Sequence, residues 1–176
     1  RDVSGKTGTA QVISLQGGYH GATMGTFAIC GLPHLSQAYA PLEVPGFAKV
    51  KPPHPFRDLA GGTEAELIAR RIDEMREAIV REGPDTVSAV IMEPVQNAGG
   101  AFTPPEGYWA GVRALCDRYD ILLSADEVIT GFGRVGHWFA SERYDIRPDI
   151  ICCAKGLSSS YAAIGAVIAS DRVMEA

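Results

Sequence analysis

At 176 residues, 46% apolar and 21% charged, the chain is ordinary in composition and long enough for one domain with a sizeable core. A formal charge of −5 and a pI near 5.3 argue against a nucleic-acid footprint and against docking on an anionic membrane. No apolar run approaches the ~20 residues that span a bilayer.

The opening Arg1-Asp2-Val3-Ser4 has no signal-type apolar segment and no initiator Met, so the chain reads as an internal piece of a longer one. Gly5-Lys6-Thr7 has the form of a P-loop tail. A P-loop needs a helix after it, however, and Thr9 to Leu15 reads as a strand. Gly17-Gly18 stops that strand, and Tyr19 to Gly25 reads as a loop entering a short helix. Residues 31–62 are rich in Pro and Gly and read mostly as loop, with a short strand near Ala48 to Val50.

The clearest helix runs from Thr63 to Glu82. Thr63 and Glu66 form a capping-box pattern, Ile68, Ile72, Met75 and Ile79 make one apolar stripe, and Gly83-Pro84 ends it. Arg70 and Glu74 are placed to pair on its wet side. Val87 to Met92 is a strand ending in Glu93. A second capping box, Thr103 to Glu106, opens a helix whose buried stripe is Tyr108, Val112, Leu115 and Tyr119. Ile121 to Ala125 is the next strand, ending in Asp126-Glu127-Val128. A Gly-rich bend follows at Thr130 to Arg134, and then a helix over about Trp138 to Tyr144. Ile150 to Ala154 is a strand delivering Lys155-Gly156, and Ile164 to Ile168 is one more. The four cysteines (Cys30, Cys116, Cys152 and Cys153) form no C-x-x-C pair and read as reduced core thiols of a cytoplasmic protein. With four scattered histidines they offer no metal site.

Strands apolar throughout and separated by helices imply an α/β fold: a mostly parallel central sheet with helices on both faces. Ligands in such sheets bind outside the carboxyl ends of the strands. Glu93, Asp126 and Lys155 all fall at such ends, the last two about one strand–helix–strand unit apart. An acid and an amine so paired suit pyridoxal phosphate: the amine condenses with the cofactor aldehyde, and the carboxylate keeps the pyridine nitrogen protonated. The period of two places Val128 on the side of Asp126, where it can press on one ring face, with Tyr19 stacking on the other.

Asp-Glu-Val-Ile-Thr-Gly-Phe-Gly-Arg at 126–134 resembles the class III (omega-type) pyridoxal-phosphate aminotransferases. So do Arg147-Pro148-Asp149-Ile150, Ala154-Lys155-Gly156-Leu157, Gly165-Ala166-Val167, Tyr19-His20-Gly21, Glu93-Pro94-Val95-Gln96, Gly99-Gly100 and Pro104 to Tyr108. The resemblance covers essentially the whole chain. It implies fold type I, a cytoplasmic homodimer, and catalytic roles for Lys155 and Asp126. It also implies a cofactor-binding set of Lys155, Asp126, Val128, Tyr19, His20 and Glu93, with Gln96 a weaker candidate and no metal.

The partners it implies are a small amine donor and a 2-oxo acid such as pyruvate. Residues 1–176 would form the core of the cofactor-binding large domain. The phosphate-binding loop would lie before Arg1, and the small domain after Ala176. Ile129 and Ala98 depart from the Gln and Glu of ornithine-type members, which favours an omega-amine, beta-amino acid or alanine/pyruvate type. Ser160 and Ala163 depart from a Gly-Tyr-x-Pro pattern. An aminomutase, racemase or decarboxylase of the same fold stays open, as does a nucleotide-binding module.

Overall fold

The computed structural model describes residues 11–42, 44–59 and 61–175. The Gly5-Lys6-Thr7 segment lies outside the described residues. Six strands form one sheet: β1 Gln11–Leu15, β2 Phe47–Val50, β3 Val87–Met92, β4 Leu122–Asp126, β5 Ile150–Cys153 and β6 Ala166–Ala169, in the order β2-β1-β3-β4-β5-β6. The first five are parallel and β6 runs antiparallel to β5. The mostly parallel sheet is therefore as anticipated. The direction of β6 leaves no mark on hydropathy.

Seven helices connect the described strands: α1 Met24–Ile29, α2 Pro33–Ser36, α3 Pro55–Asp58, α4 Glu64–Glu82, α5 Tyr108–Tyr119, α6 Ala140–Arg143 and α7 Asp171–Met174. Residues 31–62 hold more order than their composition suggests. Proline occupies the first turn of both α2 and α3, where its missing N–H costs nothing, and a 3-10 turn covers Gln37–Leu42.

The α4 capping box forms as read, with the Thr63 side chain accepting from the Glu66 amide and Glu66 accepting from the Thr63 amide. Its charge pairing differs. Glu74 pairs with the buried Arg71, which also reaches Asp58, while Arg70 donates to the Asp58 carbonyl. The second capping box does not form. Gly107, at φ 88°, is the N-cap of α5. Proline at 105 disfavours helical backbone at Pro104, so the helix cannot start there.

The main core packs Ile13, Leu15, Val90, Met92 and Leu123 of the sheet against Met75 and Ile79 of α4 and Tyr108 and Val112 of α5. On the other face Ser14 donates its hydroxyl to the Ile29 carbonyl at the end of α1. The pleat then sorts the site: with Leu123 in the core, Ser124 and Asp126 face the α1 side. From β1 the chain winds first to β2 and then back across to β3, so the winding reverses between β1 and β3. Such a reversal opens a crevice at the carboxyl ends of those strands.

Candidate active site

Tyr19 and His20 follow β1 into that crevice, Glu93 follows β3, and Asp126 ends β4. The His20 and Asp126 side chains are only 2% and 8% exposed, and Nδ1 of the imidazole lies 2.8 Å from Oδ2 of the carboxylate. The other oxygen, Oδ1, accepts the Val128 amide at 3.1 Å. His20 is itself fastened, its amide donating to the sulfur of Cys30, whose thiol donates to the Gly21 carbonyl. Strand β4 stops at Asp126, so the alternation invoked for Val128 does not reach that residue. The tie between the two is the amide bond.

Glu93 closes the other side of the cluster. Its carboxylate accepts the Tyr19 amide at 3.2 Å and the Asn97 amide at 3.4 Å. Nε2 of His20 is buried without a partner among the described residues. A Cβ placed on Gly18 would sit 3.1 Å from that nitrogen and 3.6 Å from Oε2 of Glu93. A glycine here leaves room for imidazole and carboxylate side by side.

Burial pushes the Glu93 carboxyl above its ordinary value of 4.5, opposed by His20 and the two amides and reinforced by Asp126. Between pH 4.5 and that raised value the folded chain holds a proton the unfolded chain has released. Stability contributed at this position therefore falls as pH rises through the window. We expect the stability of the parent relative to Glu93→Gln to decline across that window and to be flat below it, as read by urea denaturation at a series of pH values. A parallel course for the two proteins would remove the carboxyl from this role.

Lys155 stands apart from this cluster. It follows β5, neighbour to β4, and its backbone has φ 37°, in the left-handed region. For a non-glycine residue that conformation is strained, and such strain gathers at functional sites. The side chain is exposed, has no hydrogen bond or ion pair among the described residues, and opens on a cavity of about 620 Å³ shared with Asn97, Ile129, Phe132 and Arg134. Asn97 joins the two groups, since its amide binds Glu93 while the residue lines the Lys155 cavity.

Of the residues named from sequence, Tyr19, His20, Glu93, Asp126 and Val128 thus come together, and Lys155 lies across Asn97 from them. Tyr19 remains 38% exposed. Gln96 is a cross-link between strand ends: Nε2 donates to the Gln16 carbonyl, and Gly17 and Gly99 pack on its amide. Ser160 adopts φ 65° beside Ser159 at φ 51°, the backbone for which the resemblance implies a glycine. Sequence reasoning gave no role to Asn97 or Glu127. Asn97 acts through its own backbone amide, and Glu127 through two amides and two hydroxyls of residues 130–141, bonds that no side-chain pattern announces.

The family model for class-III aminotransferases matches residues 1–176. A probable aminotransferase of Mycobacterium tuberculosis is 49% identical over 173 residues, 98% of this chain and 37% of its own. The hypotaurine/taurine–pyruvate aminotransferase of Paracoccus denitrificans is 45% identical over 157 residues, 89% of this chain and 34% of its own. Among solved structures, the omega transaminase of Pseudomonas jessenii in complex with PMP superposes with a TM-score of 0.91 at 43% identity, covering 94% of this chain and 36% of that one. The chain thus spans little more than a third of the length of these relatives.

Proposed function

Since the chain belongs to the class-III aminotransferase family, we propose that the protein is a pyridoxal-phosphate-dependent transaminase. It moves an amino group from an omega-amine, beta-amino acid or amino acid donor to a 2-oxo acid such as pyruvate. The observation that carries this reading is a buried, imidazole-bound carboxylate at the end of β4 beside a strand, β5, that ends in an amine with no partner among the described residues.

The donor set fits the cofactor. Asp126 has used two of its roughly four acceptor positions, on the Val128 amide and His20, and has capacity for a pyridinium N–H. Lys155 has an amine, without a partner among the described residues, to offer an aldehyde. When bound, the cofactor supplies an electron-poor ring that stabilises negative charge at a substrate carbon. Asp126 holds the proton on the ring nitrogen, and His20 orients that carboxylate through Nδ1. Lys155 Nζ removes the proton from Cα of the bound amine. With the cofactor bound, Tyr19 would cover one ring face and Val128, tied to Asp126 through its amide, would lie toward the other; Glu93 fixes the backbone of Tyr19 and Asn97 beside them.

The name of the Pseudomonas relative adds support, because PMP is the aminated form of this cofactor. Residues 1–176 are proposed as the core of the large domain of a homodimer. Large exposed side chains such as Phe56, Trp138 and Tyr161 are in keeping with surfaces that a partner or further chain covers. Free thiols at all four cysteines support a reducing, cytoplasmic setting.

A half-reaction tests the assignment. The full-length holoenzyme, given an amine donor alone, should release one keto or aldehyde product and lose its visible band, and pyruvate should restore the band. Release of carbon dioxide, or of an isomerised amine with no keto product, would replace transamination by a decarboxylase or mutase reaction.

A further inference from the structure

Glu127 is fully buried, with no part of its surface in contact with solvent. Its carboxylate takes four donors. Oε2 accepts the Thr130 hydroxyl at 2.5 Å and the Ala140 amide at 2.9 Å, and Oε1 accepts the Ser141 amide at 2.7 Å and the Ser141 hydroxyl at 2.6 Å. One side chain thus caps the first turn of α6 and ties it to Thr130, the first residue of the Gly-rich bend. It also closes residues 130–140 into a loop with its ends pinned together. The Phe132 amide donates to the Trp138 carbonyl, and the Gly133 amide to the His137 carbonyl, so the loop is zipped along its length.

What the loop presents is the wall of the Lys155 cavity: Gly131, Phe132, Gly133 and Arg134. Contact with the segment after Lys155 is close. A Cβ on Gly156 would lie 3.0 Å from Cβ of Phe132 and 3.3 Å from the Gly131 carbonyl. Movement of the bend therefore meets the backbone next to the lysine directly.

We propose that Glu127 is a positioning residue for the reaction: through Thr130, Ala140 and Ser141 it sets the bend that walls the cavity into which Lys155 opens. This rests on the transaminase reading given above for Lys155. The chemistry suits the task. A carboxylate has only acceptors, and every group facing Glu127 can donate. A buried charge held by four donors is rigid, because losing any of them strands a polar group away from water.

Glu127→Gln keeps the shape and replaces one acceptor oxygen by an NH₂ group. Whichever way the amide turns, either the Ala140 or the Ser141 amide loses its acceptor. In full-length holoenzyme we expect hydrogen exchange across residues 128–141 to quicken about tenfold while α4 keeps its protection, and the cofactor dissociation constant to rise about tenfold. The KM for the amine donor should rise more than kcat falls.

Thr130→Val removes one donor without changing shape. It should act in the same direction by less, and it serves if the glutamine variant does not fold. A loosened bend with unchanged cofactor affinity and KM would make the brace purely structural and overturn the proposal. Equal loosening of α4 would do the same. If the parent itself forms no cofactor band, the transaminase reading falls and takes this role with it. A parent that binds cofactor beside variants that bind it equally well would overturn the brace alone.

Discussion

Lys155→Ala should fold like the parent and lose ~10²–10⁴-fold in kcat through proton transfer alone. The fold is spared because the side chain is exposed and has no partner among the described residues, so nothing in the core is removed. Backbone strain is also unchanged. At φ 37° lysine and alanine both carry a Cβ, and both bear its cost in the left-handed region. Activity goes because one amine is proposed for two tasks, attaching the cofactor and moving the substrate proton. Neither has a substitute among the residues that share its cavity: Asn97, Ile129 and Phe132 carry no base, and the guanidinium of Arg134 offers only donors. Absorption near the imine region and borohydride trapping with mass mapping of the modified residue read the attachment, and single-turnover rates read the proton transfer. A variant that still traps the cofactor, at another lysine, would move the active amine elsewhere.

Asp126→Asn separates the second role from the first. The asparagine fills the same space: its oxygen can keep the Val128 amide, and its NH₂ can donate to Nδ1 of the other His20 tautomer. Its charge is gone, and with it the reason for a ring nitrogen to stay protonated. We expect kcat to fall roughly 10²–10³-fold, in the range seen when one electrostatic stabiliser is removed. Lys155 should still trap cofactor on borohydride treatment. Loss of activity together with loss of trapping would mean that Asp126 mainly builds the pocket. Retention of full activity would remove the carboxylate from the chemistry. His20→Phe is the natural companion, since the imidazole is the one side chain hydrogen-bonded to Asp126 among the described residues.

Much of the architecture was legible from local pattern. Five strand positions follow from short apolar runs bounded by Gly, Pro or a charge. The body and both ends of α4 follow from its stripe, its Thr63–Glu66 box and Gly83. The errors have local causes as well. Composition hid α2 and α3, because proline both breaks helices and begins them. The false start of α5 came from reading Thr103 and Glu106 without the constraint that one proline sets on the other.

What this sequence determined by itself is which residues stand at the ends of which strands, because strand length and pleat are local properties: Tyr19, Glu93, Asp126 and Lys155 were all placed so. Tertiary structure alone decided how those ends are held. That His20 meets Asp126, that Asn97 bridges Glu93 to the Lys155 cavity, and that Glu127 gathers four donors from residues 130–141 depend on loops folding back. Half of the donors in these bonds, those of Asn97, Ala140 and Ser141, are backbone amides. Every residue but proline carries one, so only the path of the chain in space selects among them.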